Sequence, residues 1–136
     1  MPRTYIFLVS GVLALAASAL MARSNVPPGA TTVTVADTTA GLSALGDSIF
    51  HGKAANGLCF TCHLANGRGL KGVAPDLTDP KWLHGDGSIE SIMTIVEKGV
   101  PKPKESPVPM PPWGGSKLSP TQLLAVATYV RSLGVK

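Results

Sequence analysis

Large side chains and charge are both scarce in this chain of 136 residues: aromatics make up 5% and charged residues 15%. So short a chain, with so few aromatics, closes only a thin apolar core. The 15 glycines and 12 prolines commit much of it to loop. Cysteine is limited to Cys59 and Cys62, and a disulfide between them would close a very small loop and stabilise little. No strand-rich pattern occurs, so the βαβ context of a thioredoxin-type redox pair is missing. No second ligand pair stands at finger spacing, which leaves Cys59, Cys62 and His63 one short of a structural zinc site. The formal charge is +4, from 12 basic and 8 acidic residues. Without a basic cluster or recognition motif, that modest excess suggests a weakly basic docking face and no nucleic-acid binding. There is no internal repeat.

What the chain does contain is the run Cys59-Phe60-Thr61-Cys62-His63. C-x-x-C-H is the attachment signature of c-type haem. Two thiols add across the vinyl groups, and the adjacent imidazole takes one axial face of the iron. A single covalent haem c would supply the apolar centre that the composition lacks.

The N-terminus reads as an export segment. Arg3 precedes an uncharged run over residues 4–22, and Arg23 follows it. Ala17-Ser18-Ala19 and Met21-Ala22 are candidate cleavage sites of a signal peptide. The run also just reaches the ~17–25 residues that span a bilayer. It is long for the apolar core of a signal peptide, so the reading leans to an uncleaved membrane anchor. Either reading puts the rest of the chain on the extracytoplasmic, periplasmic side. Residues 23–40, rich in Thr, Ala and Pro, read as a flexible linker; a short β segment over 32–35 is the weaker alternative. The globular domain is expected over 41–136.

Within it a helix is expected over 42–51, with Leu45, Ile49 and Phe50 on one face and Gly52 as its stop. Residues 66–80 read as loop. A second helix is expected over 89–98, capped by Ser88 and stopped by Gly99. Its Ile89, Ile92, Met93 and Val96 form a buried stripe. Six prolines between residues 101 and 112 impose an extended, stiff loop. The last helix carries the strongest signals: Ser119 as cap, Pro120 at the first position and Gln122 completing a capping box. Leu123, Val126, Ala127, Val130 and Leu133 form its apolar face, and Gly134 ends it. The expected fold is all-α, three or more helices and long loops around one haem, plus the N-terminal hydrophobic helix.

With these elements in place, residues from about 44 to the end resemble the class I cytochromes c, the small mono-haem electron carriers. The resemblance rests on the C-x-x-C-H run, on Met110-Pro111-Pro112-Trp113 and on the last helix. It implies a methionine as second axial ligand on a loop before that helix, where Met110 stands. A thioether is a soft ligand that favours the reduced iron, and the proline-rich loop restricts where the sulfur points. Packing is the alternative role for Met110. Met93 lies on the core stripe. His84, beside Gly85-Asp86-Gly87, reads as part of an exposed turn, although as a ligand it would make the iron bis-histidine. His51 reads as solvent-facing. The resemblance further implies a proline carbonyl behind the ligand histidine, matched by Pro75, and a helix crossing of Gly46 and Phe50 against Tyr129. Leu77, Trp82, Ile92, Val96 and Trp113 are candidates for lining the haem, and Trp82 or Trp113 for an indole N–H to a propionate.

The proline-rich stretch is expanded and lysines are few, which places the chain nearer bacterial short-chain or oxidase- and dehydrogenase-associated cytochromes than mitochondrial ones. The function implied is one-electron transfer in a respiratory or photosynthetic chain, not catalysis. Lys53, Lys71, Lys98, Lys102, Lys104 and Lys117 are candidates for steering an acidic face of a redox partner. A tethered subunit of a larger oxidase or dehydrogenase is the second reading. A haem enzyme or gas sensor with an open iron site is the third.

Overall fold

The computed structural model describes residues 35–134, with side chains from residue 38 onward. The expected export segment over 1–22 and residues 23–34 of the expected linker lie outside the described residues. Four α-helices follow one another: α1 (Val35–Phe50), α2 (Cys59–His63), α3 (Ile89–Lys98) and α4 (Pro120–Gly134). A 3₁₀ turn, Pro112–Gly115, lies between α3 and α4. Among the described residues, the only β pairing is an isolated antiparallel bridge between Val100 and Met110. The domain is therefore all-α, as expected.

α4 starts where its sequence signals place it. Ser119 N–H donates to Gln122 Oε1 at 2.8 Å, and Gln122 N–H donates back to Ser119 Oγ at 3.3 Å. This reciprocal pair satisfies two otherwise orphaned donors at the helix start. α3 has the bounds expected of it: Ser88 Oγ accepts from Ser91 N–H at 3.1 Å, and Gly99, at φ 67°, closes the helix by donating to Ile95 O. α1 differs. It begins at Val35, so residues 35–40 of the expected linker are helical. Residues 38–41 are exposed, and no packing signal marks them in the sequence. Once the packed part of α1 exists, each added residue gains a backbone hydrogen bond without a new nucleation cost. At its other end α1 stops one residue short of His51, and Gly52 turns the chain at φ 74°.

α1 and α4 cross at Gly46, where the backbone of Ala125 and the root of Tyr129 approach too closely for any side chain. α3 packs against α4 and also against the 3₁₀ turn. The core between them contains Ile49, Phe50, Ile92, Val96, Leu123, Val126 and Val130, with Leu118 just before α4. Burying each of these large side chains contributes about 1.5–3 kcal/mol. The apolar stripes of α1, α3 and α4 thus form a base, and long loops rise from it. Among the described residues, no helix is long and apolar enough to cross a membrane.

Candidate haem site

The loops enclose a cavity of about 570 Å³, within the size range of cofactor clefts. Cys59, Cys62 and His63 line one part of its wall, Pro75 and the loop before it another, and Met110 a third. A second, apolar cavity of about 60 Å³ lies against the core; His63, Met110, Leu77, Trp82, Ile92 and Val96 all face it. Both thiols are free and partly buried, and burial pushes the Cys59 thiol above its ordinary pKa. The donor set is two thiols, one imidazole and one thioether around a cleft of cofactor size. That set fits a covalently attached haem c, whose iron takes soft and imidazole ligands.

His63 ends the short helix α2 and is 8% exposed. Its Nδ1 lies 3.1 Å from Pro75 O. A carbonyl only accepts, so Nδ1 carries the proton and Nε2 keeps its lone pair. Burial holds the His63 pKa below the ordinary imidazole value, against the raising effect of the Pro75 hydrogen bond. The loop that brings Pro75 round is tied to α2 by Gly69 N–H to His63 O at 2.9 Å and Leu70 N–H to Cys62 O at 3.0 Å. Gly69, at φ 72°, is a requirement of this path: a Cβ there would meet Pro75 O at 2.3 Å.

Met110 is held by its backbone. Val100 N–H donates to Met110 O at 2.9 Å and Met110 N–H to Val100 O at 3.0 Å. The bridge ties the proline-rich loop to the chain leaving α3. On the far side of that loop, Ser106 Oγ donates to Val73 O at 2.9 Å and accepts from Val108 N–H at 3.0 Å. Ser106 therefore fastens the loop carrying Met110 to the loop carrying Pro75.

Three expectations are corrected by these placements. Trp113 lines neither cavity; it packs on the core from the 3₁₀ turn, at φ 62°, a conformation bulky residues rarely adopt. The turn has to reverse within Trp113, Gly114 and Gly115 to reach α4, which points the indole inward. His84 is not in an exposed turn but half-buried on the wall of the large cavity. Its loop is drawn inward because Arg131 of α4 donates to Gly87 O and Trp82 packs beneath Gly87. His51 is not solvent-facing either; its side chain is 19% exposed and both ring nitrogens reach backbone carbonyls.

Of the expected lysines, Lys71 and Lys104 line the large cavity, and Lys53, Lys98, Lys102 and Lys117 are not among its lining residues. Arg68 and Ser106 also line it and were not anticipated. Neither stands in a recognisable motif, and only the folding of two distant loops onto each other brings them to one site.

A sequence model described as "Cytochrome C oxidase, cbb3-type, subunit III" matches residues 52–130. The chain is 42% identical over 79 residues to the cbb3-type cytochrome c oxidase subunit FixP of Bradyrhizobium sp. (strain ORS 278), covering 56% of this chain and 24% of that protein. It is 36% identical over 81 residues to a subunit CcoP of Rhodobacter capsulatus, covering 56% and 26%. With CcoP of Rubrivivax gelatinosus it shares 38% identity over 90 residues, covering 66% and 25%. The chain thus matches about a quarter of the length of these relatives.

Proposed function

Since the chain belongs to the family of the cbb3-type cytochrome c oxidase subunit III, we propose that it is a one-electron carrier holding one covalent haem c. Cys59 and Cys62 carry the thioether links. His63 Nε2 and the Met110 thioether would hold the iron. Bound there, the haem supplies reversible Fe(III)/Fe(II) cycling.

The remaining residues set the conditions for that exchange. Pro75 O holds the His63 proton on Nδ1, which orients the ring and strengthens Nε2 as a donor. The Val100–Met110 bridge and the prolines limit movement of the thioether. Leu77 and Trp82 keep water from the inner side, and a drier pocket favours the less charged, reduced state. Pro75 and these two side chains form the proposed pocket wall, together with Ile92 and Val96. Lys71, Lys104 and Arg68 form a cationic rim for an acidic face on a redox partner.

The observation that carries this reading is the convergence on one cavity of Cys59, Cys62 and His63 with Met110, which is distant from them in sequence. Optical spectra of the oxidised protein test it, comparing wild type with Met110→Ala. The charge-transfer band of methionine-bound ferric iron is expected in wild type and absent in the variant, together with a fall in midpoint potential. A wild type without that band would remove Met110 from the iron. Rapid carbon monoxide binding by reduced wild type would replace the carrier with an open-site haem protein.

The names of the relatives favour one setting. We propose an extracytoplasmic cytochrome domain, tethered through residues 1–34, that passes electrons within or to a terminal oxidase. Co-purification with an oxidase complex in detergent is expected; recovery as a free monomer in the periplasmic fraction would count against the tether.

A further inference from the structure

His51 is none of the proposed ligands, yet its ring is fully engaged. Nδ1 lies 2.9 Å from Asp47 O, and Nε2 lies 2.8 Å from Ala65 O. Both partners are carbonyl oxygens, which only accept, while a neutral imidazole carries one N–H. Making both hydrogen bonds requires the imidazolium. The surroundings suit that charge. The Asp47 carboxylate stands 3.1 Å from Nδ1. From α4, the ring of Tyr129 covers the imidazole edge-on at 6.0 Å between centroids, and Phe50 does so at 5.3 Å. Lys53, on the turn after α1, opposes the charge. The hydrogen bond to Ala65, then that to Asp47, raise the His51 pKa above the ordinary imidazole value, against a lowering by burial.

The segment His51 grips is under strain. Leu64, which directly follows His63, has φ 62° and ψ 160°. That region is close to glycine-only and costs on the order of 1–3 kcal/mol for other residues. Such a conformation persists only where neighbours over-determine it. Gly67 N–H holds Leu64 O at 3.0 Å, and His51 pins the next carbonyl, that of Ala65.

We infer that His51 is a positioning residue for His63: as an imidazolium it fastens the end of α1 to the strained turn leaving the ligand, and so links the setting of His63 to pH. The inference rests on the proposed role of His63 as an axial ligand. Its sign follows from linkage. A histidine whose folded pKa is raised contributes stability that is full below the unfolded value, about 6.5, and lost as pH rises through the folded value. Above that pH one N–H is gone. The Asp47 carboxylate keeps the remaining proton on Nδ1, so the Ala65 carbonyl is the one released.

The test is an imidazole ¹H–¹⁵N correlation titration of the reduced, haem-loaded protein, which is diamagnetic when six-coordinate. Both His51 nitrogens are expected to be protonated at mildly acidic pH. His51 should titrate above the ordinary imidazole value, with the His63 signals moving at the same midpoint. In His51→Gln, which keeps an N–H donor group that does not titrate, and His51→Phe, which keeps none, that movement of His63 is expected to vanish, and with it the pH slope of the midpoint potential over the same range. The inference is overturned if His51 titrates at or below the ordinary value, or if His63 ignores the His51 titration and the variants merely melt earlier. The wild-type titration needs no variant to fold. If Met110 does not bind the iron, added carbon monoxide supplies the sixth ligand and the diamagnetic state in which the same titration is read, so a missing methionine charge-transfer band sinks the proposed function and leaves this inference to be judged by its own data.

Discussion

Replacing Gly46 with alanine adds one methyl group at the point where α1 and α4 lie closest. That Cβ would stand 2.1 Å from Ala125 O, 2.7 Å from Ala125 C and 2.7 Å from Tyr129 Cβ. Two of the three obstacles are backbone and the third is the root of a side chain, so no rotamer change relieves them. Bringing the shortest contact beyond the 3.0 Å below which Cβ atoms essentially never approach requires the helices to part by roughly 1 Å, in a core with no slack to absorb it. Overpacking of this kind costs about 1–3 kcal/mol, and more when backbone must move. Alanine is better than glycine in a helix by about 1 kcal/mol, which offsets part of the loss. Because two of the obstacles are backbone, the upper part of that range, about 2–3 kcal/mol, applies, and a net destabilisation of about 1–2 kcal/mol is expected. For a domain of this size that lowers Tm by about 5–15 °C. The effect should extend to the site, because Phe50 lies one turn along α1 with its ring centroid 6.5 Å from that of His63. Thermal and urea unfolding followed by far-UV circular dichroism checks it; the urea midpoint should fall at unchanged slope. Wild-type stability in Gly46→Ala would refute a backbone-on-backbone crossing here.

Two further variants test the loops. Gly69→Ala forces a Cβ into a left-handed position 2.3 Å from Pro75 O. It should cost about 1–2 kcal/mol from backbone strain alone and should raise the midpoint potential, because a displaced carbonyl strengthens His63 less as a ligand; an unaltered potential would argue against the Pro75 contact. Ser106→Ala removes the bond to Val73, worth about 1 kcal/mol, so added imidazole should displace Met110 with roughly fivefold higher apparent affinity. Ser106→Thr should restore the wild-type titration, and equal imidazole affinity in Ser106→Ala would show that the fastening does not bear on Met110.

The parts of the fold readable beforehand are those whose causes are local. Ser88, Gly99, Ser119, Pro120 and Gln122 act on backbone groups within a turn of themselves, so the bounds of α3 and the start of α4 follow from sequence. The start of α1 did not, because residues 35–41 carry no apolar stripe and become helical by extension from the packed part. Within the site, Cys59, Cys62 and His63 are contiguous, and Pro75 and Met110 were matched through the resemblance to class I cytochromes c. His84, His51 and Trp113 were misplaced. The position of each depends on a contact with a distant element: Arg131 and Trp82 on the loop of His84, Ala65 on His51, and the reversal between the 3₁₀ turn and α4 on Trp113.

The sequence by itself determined the covalent chemistry available, the all-α character and two of the helices, since a five-residue motif and helix-end signals act over a few residues. Only the tertiary structure decided which side chains face the cavity, that Ser106 joins the loops of Pro75 and Met110, and that His51 grips the turn behind His63. These are contacts between loops far apart in sequence, closed by the packing of α1, α3 and α4 beneath them. No local propensity encodes where such loops meet.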